Sequence, residues 1–166
     1  MRVFLVGYMY SGKSTLGRRL AAAMGYRFVD IDDAFEERYR VNIPLFFKKY
    51  DETAFRTLEA ALLRDVAAAD DIVISTGGGT PCYNANMDFM LANGRVVFLD
   101  MPAPAILSRM ATSKKPRPLL QDKHGDELRN YVTQQLAERM PTYQRAHITV
   151  SAINANATAI AALLAN

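Results

Sequence analysis

Gly7-Tyr8-Met9-Tyr10-Ser11-Gly12-Lys13-Ser14 is a run of residue types suited to gripping phosphate. It matches G-x-x-x-x-G-K-[ST], and it follows an apolar segment and precedes a helical pattern, as the mechanism requires. Phosphate oxygens need backbone N–H donors at close range, which the two glycines permit. A helix N-terminus adds partial positive charge at the same place. Lys13 would bring a full charge to the β- and γ-phosphates, and the Ser14 hydroxyl is a hard oxygen ligand for Mg2+. The chemistry expected is transfer of a terminal phosphoryl group to a small molecule. A Rossmann dinucleotide site is the nearest rival, and it fails because no G-x-G-x-x-G follows a strand.

Further along stand residues that could handle the acceptor. Asp30-Ile31-Asp32-Asp33 ends a short β-rich run. Carboxylates beyond the carboxyl end of a parallel strand face the ligand crevice, where two of them could hold Mg2+ and take a proton from an attacking hydroxyl. The plainer alternative is that one of them caps the helix expected to start near Ala34, a role that suits Asp33 best. Arg56, Arg139 and the turn Gly77-Gly78-Gly79 form a second set. Two guanidiniums beside a glycine turn with approachable N–H groups suit a carboxylated substrate, although each arginine alone also reads as a surface ion-pair partner. Lys115-Pro116-Arg117-Pro118 lies in a polar connection, where a mobile arginine could neutralise charge on the transferring group. Arg109 either stacks on adenine or is a helix C-terminal charge facing water.

The elements that must position these residues alternate in kind. β-rich runs at Arg2–Val6, Tyr26–Val29, Ile72–Ser75, Arg95–Leu99 and His147–Val150 are interleaved with helical patterns. Those patterns cover Lys13–Met24, Asp51–Ala69, Asn84–Ala92, Pro104–Ala111, Asp126–Tyr143 and Ala155–Ala165. The first, third and fourth runs are continuously apolar, as strands buried on both faces require. In Asp51–Ala69, Phe55, Leu58, Leu62 and Val66 recur at helical spacing and give one apolar face. The βαβα order predicts a parallel sheet with helices on both sides. Ala34–Tyr50 and the polar Thr112–Gly125 interrupt the alternation; long polar connections are often lids or binding loops, and the plainer alternative, an ordinary surface loop, is left open by composition.

The bulk numbers restrict what else the chain could be. Its 166 residues fit one domain, 1–166. A formal net charge of +3 is too small to argue for a nucleic-acid partner. Cys82 is the sole cysteine, which excludes an intrachain disulfide and a cysteine zinc site. No apolar run is long enough for a signal core or a membrane span, so a cytoplasmic protein without a membrane partner is expected. A monomer is expected as well.

Taken in chain order, these pieces resemble the shikimate kinase family over nearly the whole length. They are the phosphate loop with Lys13-Ser14-Thr15, the Asp30-x-Asp32 pair, Phe55-Arg56 before Glu59, Gly77-Gly78-Gly79, Arg117-Pro118-Leu119-Leu120, and Arg139 followed by Pro141 and Tyr143. The resemblance implies a three-layer α/β/α fold of nucleoside-monophosphate-kinase type, a P-loop NTPase with a five-stranded parallel sheet. It also implies a substrate-binding helical region at roughly 32–60 and a lid at roughly 112–124. It implies transfer of the ATP γ-phosphoryl group to the 3-hydroxyl of shikimate, with Mg2+ as cofactor. By position, Gly12, Lys13, Ser14, Thr15, Arg109 and Arg117 would bind nucleotide, and Asp32, Arg56, Gly77, Gly78, Gly79 and Arg139 would bind shikimate. Asp30 would reach Mg2+ through water beside Ser14. Lys13, Asp32 and Arg117 would carry the catalysis.

One position departs from the family. Its usual glycine at the fourth place of the phosphate loop is Tyr10 here. A left-handed backbone at a tyrosine would cost roughly 1–2 kcal/mol, and the side chain could crowd the acceptor or cover the phosphates. Two competing expectations remain at this point. One is another P-loop small-molecule kinase acting on gluconate or a nucleotide; the other is a nucleotide sensor without catalysis.

Overall fold

Three strands apolar on both faces decide the layering. The structure, a computed structural model, describes residues 1–113 and 123–166. β1 (Arg2–Val6), β2 (Arg27–Asp30), β3 (Ile72–Ser75), β4 (Arg95–Asp100) and β5 (Ile148–Ser151) form one sheet in the order β2-β3-β1-β4-β5. Every neighbouring pair is parallel. The central register sets Phe4 between Ile74 and Val96, and Leu5 between Ser75 and Val97.

Because side chains alternate along a strand, each central strand feeds two cores. Phe4, Val6, Ile72, Ile74, Val96 and Phe98 face one side, and Val3, Leu5, Val73, Val97 and Leu99 face the other. α1 (Lys13–Met24) and α8 (Ala157–Ala165) cover the second face with Leu16, Leu20, Ile160 and Leu164. The first face is covered by α4 (Glu52–Val66), α5 (Asn86–Asn93), α6 (Ala103–Thr112) and α7 (Gly125–Tyr143). The expected three-layer α/β/α sandwich with a five-stranded parallel sheet is therefore observed. Each fully buried aliphatic or aromatic side chain adds about 1.5–3 kcal/mol relative to exposure.

Between β2 and α4 the chain forms two short helices, α2 (Ile31–Tyr39) and α3 (Ile43–Lys49). Their aromatic residues converge on Phe35, whose ring centroid lies 4.7 Å from Tyr39, 5.3 Å from Phe46 and 4.9 Å from Phe55. α2 starts directly at Ile31 rather than near Ala34. The cap is Asp30, not Asp33, since Asp30 Oδ1 accepts the N–H groups of Asp32 (2.9 Å) and Asp33 (3.2 Å). α4 keeps its expected face in Phe55 and Leu62, but that buried stripe also contains Arg56 and Glu59, two charged residues. Among the described residues no helix is long and apolar enough to cross a membrane.

Candidate active site

The chain leaves β1 for the far edge strand β2, returns through β3, and then crosses to β4 on the other side. The connection direction thus reverses at β1, and the phosphate loop hangs from that switch point, where ligands of open α/β sheets bind. Gly12 (φ 87°) adopts a left-handed conformation just before Lys13 opens α1. Tyr10 does the same at φ 67°, as expected for a glycine position. Lys13 is 8 % exposed, and its Nζ donates to the carbonyls of Gly7 (2.8 Å) and Tyr8 (3.0 Å). The Ser11 hydroxyl is buried and has no hydrogen-bond partner among the described residues. Arg109 Nη1 reaches across from α6 and donates to the Tyr10 carbonyl at 2.8 Å, so this arginine lies on the loop and does not simply face water.

At the mouth of the loop Ser14 Oγ donates to the Asp30 carboxylate, and Ser75 Oγ lies 3.5 Å from Ser14. Asp30 therefore works in two directions, capping α2 with one oxygen and meeting Ser14 with the other. This is a hard-oxygen set, the donor chemistry that suits Mg2+. Among the described residues no cluster of three or more His, Cys, Asp or Glu could hold a metal alone.

The acceptor side is built around the turn after β3. A Cβ on Gly79 would meet Arg56 Nη2 at 2.5 Å, and a Cβ on Gly78 would meet Arg139 Nη1 and Met9 N, each at 3.2 Å. Neither glycine is needed for an unusual backbone. At Gly79 the Arg56 guanidinium leaves no room for a Cβ unless it moves, and at Gly78 a Cβ would press tightly on Arg139 and the phosphate loop. Asp32 Oδ1 lies 3.2 Å from where a side chain on Gly77 would begin, which sets it against the same turn.

The two arginines are held differently. Arg56, 7 % exposed, donates from Nη1 to Glu59 Oε1 (3.0 Å) and from Nε and Nη2 to Glu52 Oε1 (3.3 Å), and its guanidinium lies 4.3 Å from the Tyr83 ring centroid. Glu59 in turn accepts from Thr80 Oγ1 at 2.8 Å. Burial alone would depress the Arg56 guanidinium, but the charge and hydrogen bond of Glu59 reverse this and hold it above its ordinary value. Burial pushes the Glu59 carboxyl up, against the pull of Arg56 and Thr80. Arg139 is also 7 % exposed, and its Nη1 has no hydrogen-bond partner among the described residues. A buried guanidinium N–H without a partner is costly and points to an anionic ligand. Behind it, Tyr143 donates to the Gly78 carbonyl at 2.6 Å and stacks on Phe98, fixing the turn from below.

The structure thus brings Gly12, Lys13, Ser14, Asp30, Asp32, Arg56, Gly77, Gly78, Gly79, Arg109 and Arg139 to one end of the sheet. Thr15 is on the same helix start, with an exposed side chain. Arg117 and its flanking Lys115-Pro116 and Pro118 lie outside the described residues. Sequence reasoning gave no role to Ser11, Tyr8 or Tyr83, all of which meet this site. Glu52 and Glu59 carried a signal, four residues before and three after Arg56 on one helix, the spacings at which opposite charges meet.

The sequence model of the shikimate kinase family matches residues 9–165 of this chain. The chain belongs to the shikimate kinase family. A shikimate kinase of Parabacteroides distasonis is 42 % identical over 151 residues, which cover 91 % of this chain and 87 % of that protein. One of Bacteroides fragilis is 42 % identical over 147 residues, covering 89 % and 82 %. Among solved structures, shikimate kinase from Bacteroides thetaiotaomicron superposes with a TM-score of 0.93 at 36 % identity, covering 100 % of this chain and 99 % of that one. Shikimate kinase from Acinetobacter baumannii, solved in complex with shikimate, superposes at 0.87 with 33 % identity, covering 99 % and 90 %. A gluconokinase from Sinorhizobium meliloti shares only 17 % identity at a TM-score of 0.59, a likeness of fold alone.

Proposed function

We infer that this chain is an ATP-dependent shikimate kinase, transferring the γ-phosphoryl group to the 3-hydroxyl of shikimate to give shikimate 3-phosphate and ADP. The observation that carries the assignment is the buried Nη1 of Arg139, without a hydrogen-bond partner among the described residues and set with Arg56 on a glycine turn that packs against the phosphate loop. A monocarboxylate bound there would satisfy the orphan donor and lie beside the nucleotide.

Each residue then has a role. Lys13 turns from the loop carbonyls to the β- and γ-phosphates, with the N–H groups from Gly12 to Thr15 beside it. Ser14 and, through water, Asp30 would hold Mg2+, which when bound would supply neutralising charge to the nucleotide's phosphates. Arg56 and Arg139 hold the shikimate carboxylate, and Gly77, Gly78 and Gly79 offer backbone contacts. Asp32 binds the shikimate hydroxyls and takes the proton as the hydroxyl oxygen attacks the γ-phosphorus. The bond from that phosphorus to the bridging oxygen breaks, and its electron pair leaves with ADP. Arg109 lies on the adenine side, and the family resemblance would assign Arg117, which lies outside the described residues, to the nucleotide's phosphates.

Formation of ADP, measured with Mg2+-ATP and shikimate, gluconate or nucleoside monophosphates in turn, tests the assignment. Turnover with shikimate is expected. Turnover confined to another acceptor would overturn it, and binding of both ligands without turnover would indicate a sensor.

A further inference from the structure

Tyr8 occupies a variable place in the phosphate loop, yet it touches both halves of the site. Its carbonyl accepts from Lys13 Nζ at 3.0 Å. Its ring lies beneath the Arg139 guanidinium, 5.5 Å from Cζ to the ring centroid. Its hydroxyl donates to Gln135 Oε1 at 2.6 Å, and Gln135 Nε2 donates to the Tyr131 hydroxyl at 3.1 Å. Tyr131, Gln135 and Arg139 follow one another at four-residue steps on α7, which sets them along one helix face. The ring of Tyr8, 1 % exposed, therefore closes a ladder that ends at the arginine with the orphan donor.

We propose that Tyr8 is a positioning residue for the acceptor, its ring supporting the Arg139 guanidinium and its hydroxyl pinning α7 through Gln135. A guanidinium lying over a ring face is attracted by the ring's quadrupole. The same contact removes rotamers that a free arginine would lose on binding its ligand. The tether fixes how far Arg139 projects from α7 toward the glycine turn. Burial lifts the Tyr8 hydroxyl to about 12, so it stays a neutral donor to Gln135 through the neutral pH range. An ordinary core tyrosine would be satisfied by any hydrogen-bond partner. Here ring and hydroxyl are both spent on the one helix that carries Arg139.

The proposal rests on Arg139 holding the acceptor's carboxylate. Steady-state kinetics and calorimetric shikimate binding without nucleotide test it on Tyr8→Leu, Tyr8→Phe, Gln135→Leu, Tyr8→Phe/Gln135→Leu and Arg139→Lys. Tyr8→Leu, which loses ring and tether, should raise the shikimate KM and Kd about tenfold while kcat and the ATP KM stay within about twofold. Tyr8→Phe and Gln135→Leu should each weaken shikimate only about threefold, and their double variant should be no worse than either alone. Recovery of about threefold in affinity on going from Leu to Phe is the mark of the ring contact. Unchanged shikimate binding in Tyr8→Leu overturns the proposal, as does a parallel loss of kcat and ATP affinity. If Tyr8→Leu fails to fold, unchanged shikimate KM in Gln135→Leu overturns it instead. Normal shikimate affinity in Arg139→Lys would overturn the carboxylate assignment itself. Weak binding in Arg139→Lys beside normal binding in the Tyr8 and Gln135 variants would sink the positioning role alone.

Discussion

Gly79 is small because Arg56 passes over it. A Cβ there would fall within 3.0 Å of Nη1, Nη2 and Cζ of the guanidinium. That guanidinium cannot easily give way, since Glu52, Glu59 and the Tyr83 ring hold it on three sides. Gly79→Ala should therefore displace Arg56, raising the shikimate KM roughly tenfold and costing about 1–3 kcal/mol of stability through overpacking. Kinetics and urea unfolding of the one variant measure both effects. A stable variant with normal shikimate KM would show that Arg56 yields without consequence.

The two substrates should separate by mutation. On the proposed role, Lys13→Ala would remove charge from the phosphates, so its main effect should fall on turnover, by roughly 2–4 kcal/mol of activation free energy. On the proposed roles, Arg56→Ala or Arg139→Ala would remove a carboxylate contact, so the main effect should be a higher shikimate KM, by a comparable energy. Kinetics on the three variants check the division. Normal shikimate KM in both arginine variants would remove the carboxylate clamp.

Tyr10 holds a left-handed backbone at φ 67° in a loop whose glycines exist for such geometry. The strain at a residue with a Cβ is about 1–2 kcal/mol, partly offset because glycine makes the unfolded chain more flexible. Tyr10→Gly should therefore raise the melting temperature by about 1–4 °C. The Arg109 contact survives, since it uses the Tyr10 carbonyl. A lower melting temperature would mean that the tyrosine side chain contributes more than its backbone costs.

Glu59 gives a pH dependence of defined sign. Burial holds its carboxyl above the ordinary range in the folded protein. Above the unfolded chain's value of about 4.3, the unfolded state releases this proton before the folded state does. The group's contribution is thus complete below that pH and is lost as pH rises through the raised folded value. The unfolding free energy of the native chain minus that of Glu59→Gln should therefore fall as pH increases from about 4 toward neutrality. Urea midpoints of both proteins across that range supply the measurement. A difference that widened with pH would show that pairing with Arg56 outweighs burial.

What could be read from the sequence follows from how local each signal is. β1, β3 and β4 were legible because strands buried on both faces leave unbroken apolar runs, whereas β2 and β5, at the edges, start one residue later than expected. The phosphate loop was legible because its function resides in backbone and fixed spacing. Gly77, Gly78 and Gly79 were found for an incomplete reason. They were expected to expose N–H groups, and the structure shows Gly78 and Gly79 making room for arginines from two other helices. Tyr8 left no signal, because its partner Gln135 is 127 positions away and nothing local marks either residue. The cap of α2 was misplaced to Asp33 because three carboxyls compete in Asp30-Ile31-Asp32-Asp33, and only the extended backbone of Asp30 aims its side chain back at the helix start.

That cap leads to a variant pair which separates folding from metal binding. Asp30 spends Oδ1 on the N–H groups of Asp32 and Asp33 and its other oxygen on Ser14. Asparagine caps helices about as well as aspartate but carries no charge. Asp30→Asn should therefore unfold within about 0.5 kcal/mol of the native chain and still require considerably more Mg2+ for half-maximal ADP formation. Asp30→Ala loses the cap too, and should cost about 1 kcal/mol of stability in addition. Mg2+ titration of activity, set beside melting curves of the same two variants, distinguishes these effects. If Asp30→Asn titrates with Mg2+ like the native enzyme, the carboxylate serves α2 alone, and Ser14 is left as the metal's protein ligand.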